Sequence, residues 1–157
     1  MTADEPDSIA ALRAEIDAVE RSALRRVDPG VRAAVIAGAI MLLLLAITLP
    51  WVGDANGWDV LRGTANPVDR VGLLPWMFGA VALGVGVGLS MLALVTRRWG
   101  LVWASALGCT YCVLDGVWAI WSRQTADGPG PGPGMVLAVL AVMVLAVQWL
   151  WLALSRR

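Results

Sequence analysis

Apolar residues run almost unbroken through four stretches, approximately 33–52, 72–95, 100–121 and 135–154. Each reaches the ~20 helical residues needed to cross a hydrocarbon layer roughly 30 Å thick. Backbone polar groups cannot stay unpaired in lipid, and the inside–outside alternation of a barrel strand is missing, so the four stretches read as transmembrane helices. The chain before them is patterned differently. In residues 8–27, Ile9, Leu12, Ile16, Val19 and Ala23 recur at spacings of three and four, one narrow apolar stripe on an otherwise charged helix. Asp4, Glu5 and Asp7 around Pro6 suit a helix start, and Asp28-Pro29-Gly30 suits a stop. The pattern predicts an all-α integral membrane protein. Residues 1–30 form an N-terminal amphipathic cytoplasmic helix, suited to a partner, the membrane surface or its own bundle, and residues 31–157 form a domain of four transmembrane helices.

Composition strengthens this reading. Hydrophobic side chains make up 59% of 157 residues and charged ones 15%, too apolar for a soluble domain of this length. The twelve basic residues are all arginine and balance twelve acidic ones, with no basic block, so a nucleic-acid partner is not expected. The first thirty residues are polar where a cleavable signal needs an apolar core, so they are expected to remain in the mature chain. Arginines cluster before the first span, between the second and third, and after the fourth; Arg62, Arg70 and Arg123 lie on the other side. That distribution places both termini in the cytoplasm, with the chain multi-pass in the inner (plasma) membrane. On this topology Trp51, Trp76, Trp118 and Trp121 fall at the outer interface, and Trp99, Trp103, Trp149 and Trp151 at the inner one. The loop after the first span, with Trp58, Val60 and Leu61, reads as a connector lying on the bilayer, and DGPGPGPG at 127–134 reads as a linker.

Candidate chemistry concentrates in the third span. At about 100° per residue, Ser105, Gly108, Cys109, Cys112, Asp115, Gly116 and Ala119 share one face, a small and polar strip suited to packing on other helices. Asp115 stands out, because a carboxylate within a span costs at least about 2.5 kcal/mol on insertion scales and requires a partner. Tyr111, Arg70, Arg123, a neighbouring subunit or a proton are the candidates. In the second span Ala80, Gly84 and Gly88 recur every fourth residue, a row for close helix approach, and Gln148 in the fourth span is placed to bridge helices by hydrogen bonding. The site expected from sequence is therefore a set of packing or partner contacts: Gly84, Gly88, Gly108, Cys109, Cys112, Asp115, Gly116 and Gln148.

Histidine is absent, which removes the commonest haem ligand, metal ligand and general base. Cys109, Cys112 and Asp115 would supply three metal ligands at most, and Val113 occupies the position a C-x-x-C-H haem motif needs for histidine. No catalytic residue, cofactor or metal is expected. Two alternatives stay open: a thiol–quinone oxidoreductase using the C-x-x-C pair, and a small proton-coupled transporter using Asp115.

The layout, with Leu49-Pro50-Trp51 closing the first span and Gly57-Trp58-Asp59-Val60-Leu61 following it, resembles small four-helix, tryptophan-rich membrane proteins of actinobacteria. Some of those are accessory subunits of the respiratory supercomplex joining cytochrome bcc to a haem–copper cytochrome c oxidase. The resemblance implies a non-catalytic accessory subunit of the electron-transport chain that carries no cofactor and has other integral membrane subunits and the lipid bilayer as partners.

Overall fold

The computed structural model describes residues 13, 16, 30–66 and 71–155. Arg13 and Ile16 are helical and exposed; the rest of the expected amphipathic helix, and Arg70, lie outside the described residues. Four long helices dominate: α1 (Val31–Thr48), then α3 (Leu73–Thr96), α4 (Trp99–Thr125) and α5 (Pro133–Leu154), with a small cap between α1 and α3. All four are long and apolar enough to cross a membrane. Helix α5 packs along both α1 and α4, and α3 packs along α4.

Helix α1 is apolar on every side, so its burial is chosen by its neighbours and not by its own amphipathicity. Ile36, Ile40, Leu43 and Ile47 face the interior, whereas Val35, Met41 and Leu45 are exposed. It ends at Thr48 because Pro50 disfavours helical geometry in the residue before it, and Leu49 is extended. The chain then turns through two short antiparallel strands, β1 (Pro50–Val52) and β2 (Ala55–Asn56), and a one-and-a-half-turn helix, α2 (Gly57–Arg62). A reciprocal capping box starts α2: the Asp59 amide donates to Asn56 Oδ1 at 3.0 Å and the Asn56 amide to Asp59 Oδ2 at 3.3 Å. Gly63, at φ 68°, closes it in the left-handed conformation.

This segment is a folded lid and not a connector lying flat on a bilayer. Trp51, Val52, Ala55 and Val60 are buried. The Trp51 indole donates to Ala46 O at 2.9 Å, a carbonyl in the last turn of α1 that also accepts the Leu49 amide at 3.3 Å. Its ring lies 5.4 Å from that of Phe78 on α3.

The glycine–proline segment after α4 is not a loose linker either. The Gly132 amide donates to Trp51 O at 2.7 Å, and Val52 bridges to Pro131, so this crossover joins the edge of the β1–β2 hairpin. A Cβ at Gly132 would collide with Pro50 O, and one at Gly134 would lie 2.8 Å from Ala46 O. The glycines are there for close backbone approach. Arg123, which is 4% exposed, fixes the near side of the loop by donating from Nη2 to Pro129 O at 2.8 Å.

The interior of α3 departs from α-helical geometry: Ala82–Leu89 is a π-helix between two α-helical segments. Its buried small residues are Gly79, Ala82, Gly86, Ser90 and Ala93, with the Gly86 Cβ position only 2.8 Å from Leu43 Cδ2. Helix α4 follows after a two-residue turn, Arg97-Arg98, in which Arg97 has φ 53°.

Replacing Gly132 with Ala should destabilise the chain by about 1–3 kcal/mol, because the backbone of Pro50 cannot yield as a side chain would. Gly130→Ala, which meets nothing within 4 Å, should change stability by less than about 0.5 kcal/mol. Thermal unfolding of the purified chain in detergent compares them.

Candidate functional site: the polar interior between α3, α4 and α5

The small and polar side of α4 points into the bundle. Ser105, Cys109, Cys112, Asp115, Gly116 and Ala119 are all buried, and Gly108, partly exposed, lies so close to α3 that a Cβ would meet Val85 Cγ1 at 2.6 Å. Gly116 is wedged between helices, its Cβ position 2.6 Å from Val139 Cγ2 on α5 and 2.7 Å from Phe78 Cε2 on α3. These glycines let the three backbones approach closely, which is how helices associate where hydrophobicity offers no differential drive.

One hydrogen-bonded node joins the three helices. Trp149 Nε1 donates to Ser90 Oγ at 3.0 Å, and Ser90 Oγ lies 3.9 Å from Cys109 Sγ. The Ser90 hydroxyl donates onward to Val85 O at 3.2 Å, inside the π-helical segment. Ser105 Oγ donates to Leu89 O at 3.5 Å, a second link between α4 and α3. Trp149 is 1% exposed and belongs to the interior, not to an interfacial belt; Trp51 at 0% corrects the same expectation at the other end. An indole N–H inside an apolar bundle must find an acceptor, and Ser90 supplies it.

The structure places Gly84 and Gly88 away from the helix contacts within the bundle. Both lie on the exposed side of α3, Gly84 with nothing within 4 Å of its Cβ position. The helix carries two rows of small residues on opposite sides, and the row with Ser90 turns inward because a hydroxyl can be satisfied there. The sequence shows a serine in phase with Ala82 and Gly86 but not the distant indole that it meets. Gln148 is half-buried and makes no hydrogen bond to any described residue, so it does not bridge helices among them.

Asp115 is 3% exposed, and its Oδ2 has no hydrogen-bond partner among the described residues. Tyr111, one turn earlier, is 50% exposed, and Arg123 directs Nε and Nη2 at Pro129 O, so neither is brought to the carboxylate by these hydrogen bonds. Cys109 and Cys112 are free thiols, both fully buried. Among the described residues no group of three or more His, Cys, Asp and Glu side chains could hold a metal ion. The arrangement locks helices together at close range.

Comparison with known proteins sets this bundle in a family. The sequence profile of the MiaB C-terminal domain matches residues 13–157. The chain belongs to the MiaB C-terminal domain family. It is also 46% identical over 123 residues to the tRNA-2-methylthio-N(6)-dimethylallyladenosine synthase of Mycobacterium avium (strain 104), across 78% of this chain and 17% of that protein. The chain thus spans about one sixth of the length of this relative. No solved structure matches it.

These matches overturn several expectations together. The resemblance to accessory subunits of the cytochrome bcc–cytochrome c oxidase supercomplex does not stand, nor does any place in the respiratory chain: the family and the relative are those of a tRNA-modifying synthase. The reading as a non-catalytic subunit, and the thiol–quinone oxidoreductase and proton-coupled transporter alternatives, fall with it. Leu-Pro-Trp and Gly-Trp-Asp-Val-Leu misled because they encode the lid around Trp51, a structural solution that carries no functional identity. The exclusion of a nucleic-acid partner is also withdrawn, since the relative is named for a modification of tRNA. The inner (plasma) membrane address with cytoplasmic termini, and membrane subunits as partners, rested on that resemblance and on arginine counts. Those counts orient an inserted span; they do not identify where an enzyme family works.

A double-mutant cycle on Ser90→Ala and Trp149→Phe should give a coupling energy of about 0.6 kcal/mol, reaching at most ~1.7, read from unfolding in detergent. Asp115→Asn, which keeps the volume and removes the formal charge, should leave stability unchanged or higher. A fall of more than about 1 kcal/mol would reveal a donor to the carboxylate.

Proposed function

We propose that this chain works as a bilayer-embedded C-terminal module of an enzyme that forms 2-methylthio-N6-dimethylallyladenosine in tRNA. The 46% identity over 123 residues to the synthase of that name carries the reading. A tRNA carrying dimethylallyladenosine is then the substrate of the whole protein, and this chain is one part of the machinery that handles it.

The embedded state is supported by the outer surface. Met41 and Leu45 on α1, Met91 and Val95 on α3, Leu107 and Leu114 on α4, and Leu140 and Val147 on α5 are all exposed. Apolar surface therefore encircles the bundle. A domain docked on a water-soluble body would keep one side polar, and a contiguous apolar belt of this extent on a free domain would aggregate. Exposed Trp76, Trp118 and Trp121 toward the lid, with Trp151 at the opposite end, suit the two edges of a hydrocarbon layer.

On this reading the packed interior makes the module rigid, and the Arg32 guanidinium, 4.5 Å from the centre of the Trp151 ring, clamps the beginning of α1 to the end of α5. A body joined ahead of α1 would be held to the bundle at that point.

Two measurements test the proposal. Disrupting the coding region of this chain in its host should sharply lower 2-methylthio-N6-dimethylallyladenosine relative to N6-dimethylallyladenosine in hydrolysed total tRNA, read by mass spectrometry; an unchanged ratio would sink the functional reading. The chain should stay with the membrane pellet through an alkaline carbonate wash, and release into the supernatant would sink the embedded one.

A further inference from the structure

The single tyrosine of the chain sits at a depth where tyrosine is out of place. Tyr111 is 50% exposed on the outer side of α4. Trp118 and Trp121, also exposed, lie nearer the lid, roughly 10 and 15 Å further along the axis at 1.5 Å per residue. Trp99, where α4 begins, lies about 18 Å away in the other direction. In a hydrocarbon layer roughly 30 Å thick, with these indoles at its edges, Tyr111 falls near the mid-plane. A tyrosine at a bilayer edge keeps its hydroxyl wet; from the mid-plane the ring is too short to reach either edge.

The phenol makes no hydrogen bond to any described residue. Asp115, one turn on, does not serve it, since Oδ2 of that carboxylate is itself without a partner. A hydroxyl held in hydrocarbon without a hydrogen bond costs free energy, and a face meant only for acyl chains has no use for one. Tyr111 also lies within a seam of exposed positions, Ala104, Leu107, Tyr111, Leu114, Trp118 and Trp121, at spacings of three and four. Two helices interlock along such a seam at a shallow left-handed crossing. Asp115 is the one charged residue between Ala104 and Trp121, and it faces inward at 3% exposure. No charge on this face repels a copy of itself.

We propose that two copies of this chain pack α4 against α4, in parallel, about a two-fold axis along the bilayer normal, with the Tyr111 hydroxyls hydrogen-bonded to each other at mid-depth. A hydroxyl both donates and accepts, so the pair is self-complementary. An isologous interface repeats one patch on both sides, and copies inserted in the same direction present Tyr111 at the same depth by construction. A different partner would need a polar group at that depth against an otherwise apolar seam; the second copy brings one. The inference rests on the embedded state proposed above, and it names what covers one side of the bundle.

The test uses the full chain in phosphatidylcholine vesicles at falling protein-to-lipid ratios. Energy transfer between copies carrying donor and acceptor fluorescent proteins at the C terminus should fall with dilution along a dimer isotherm. Tyr111→Phe, which keeps the ring and removes the hydroxyl, should weaken association about threefold and at most roughly twentyfold, the range of interhelical hydrogen bonds in membranes. On mild oxidation Leu114→Cys should cross-link into a dimer, whereas Met41→Cys on the outer side of α1 and Met91→Cys on the outer side of α3 should not; the buried thiols of the unaltered chain set the background. Energy transfer no greater than that of randomly mixed monomers at every ratio would overturn the proposal and leave the face to lipid or to a different protein. Association untouched by Tyr111→Phe would overturn it too, as would a dimer that cross-links through Met41→Cys or Met91→Cys and not through Leu114→Cys. Retention through the carbonate wash without an α4 cross-link sinks this inference alone; release by the wash sinks the embedded reading instead.

Discussion

Trp51 is the piece on which the lid end of the molecule is built. Its indole N–H completes the last turn of α1 at Ala46 O, its ring packs on Phe78 of α3, and its carbonyl accepts the amide of Gly132 just before α5. Helix α2 also rests on it: a Cβ at Gly57 would come within 2.9 Å of Trp51 Cε2. Three of the four long helices and both crossovers at that end are thus referred to one residue, through its ring and its carbonyl. A large ring with one polar atom suits this role, since it fills space on both faces and leaves a single donor to satisfy.

At mid-depth the task passes to smaller groups. Ser90, Cys109 and Trp149 form a node where α3, α4 and α5 meet, and Gly108 and Gly116 bring those backbones close enough for it to form, while Gly86 lets α3 approach Leu43 of α1. The π-helical segment Ala82–Leu89 is part of the same device, because Val85 both packs against Gly108 and accepts from Ser90. An apolar bundle has little to choose between sliding registers of similar helices. A hydrogen bond that must be made, and glycines that fit only one facing residue, select the register.

The family to which the chain belongs changes what this rigidity is for. A relative many times longer is named as a tRNA-modifying synthase, and the module covers 17% of its length. On the proposed reading, a stiff bundle holds whatever is joined to it in fixed geometry, which a flexible tether would not.

The sequence by itself determined where the long helices lie, because length and apolarity are local properties: the stretches at 33–52, 72–95, 100–121 and 135–154 correspond within about one turn to Val31–Thr48, Leu73–Thr96, Trp99–Thr125 and Pro133–Leu154. It also marked the inward side of α4, where small and polar residues recur at helical spacing. It did not settle which of two small-residue rows on α3 faces inward, since Gly84 and Gly86 are equally small and only the acceptor needed by Trp149, 59 positions away in the chain, distinguishes them. Nor did it reveal that the Gly-Pro segment pairs with the β1–β2 hairpin, because glycine and proline read locally as looseness while their close approach to Pro50 is a property of distant chain. The tertiary structure decided these points for one physical reason: helix formation is satisfied within the helix, whereas the choice of buried face is made by the partner it meets.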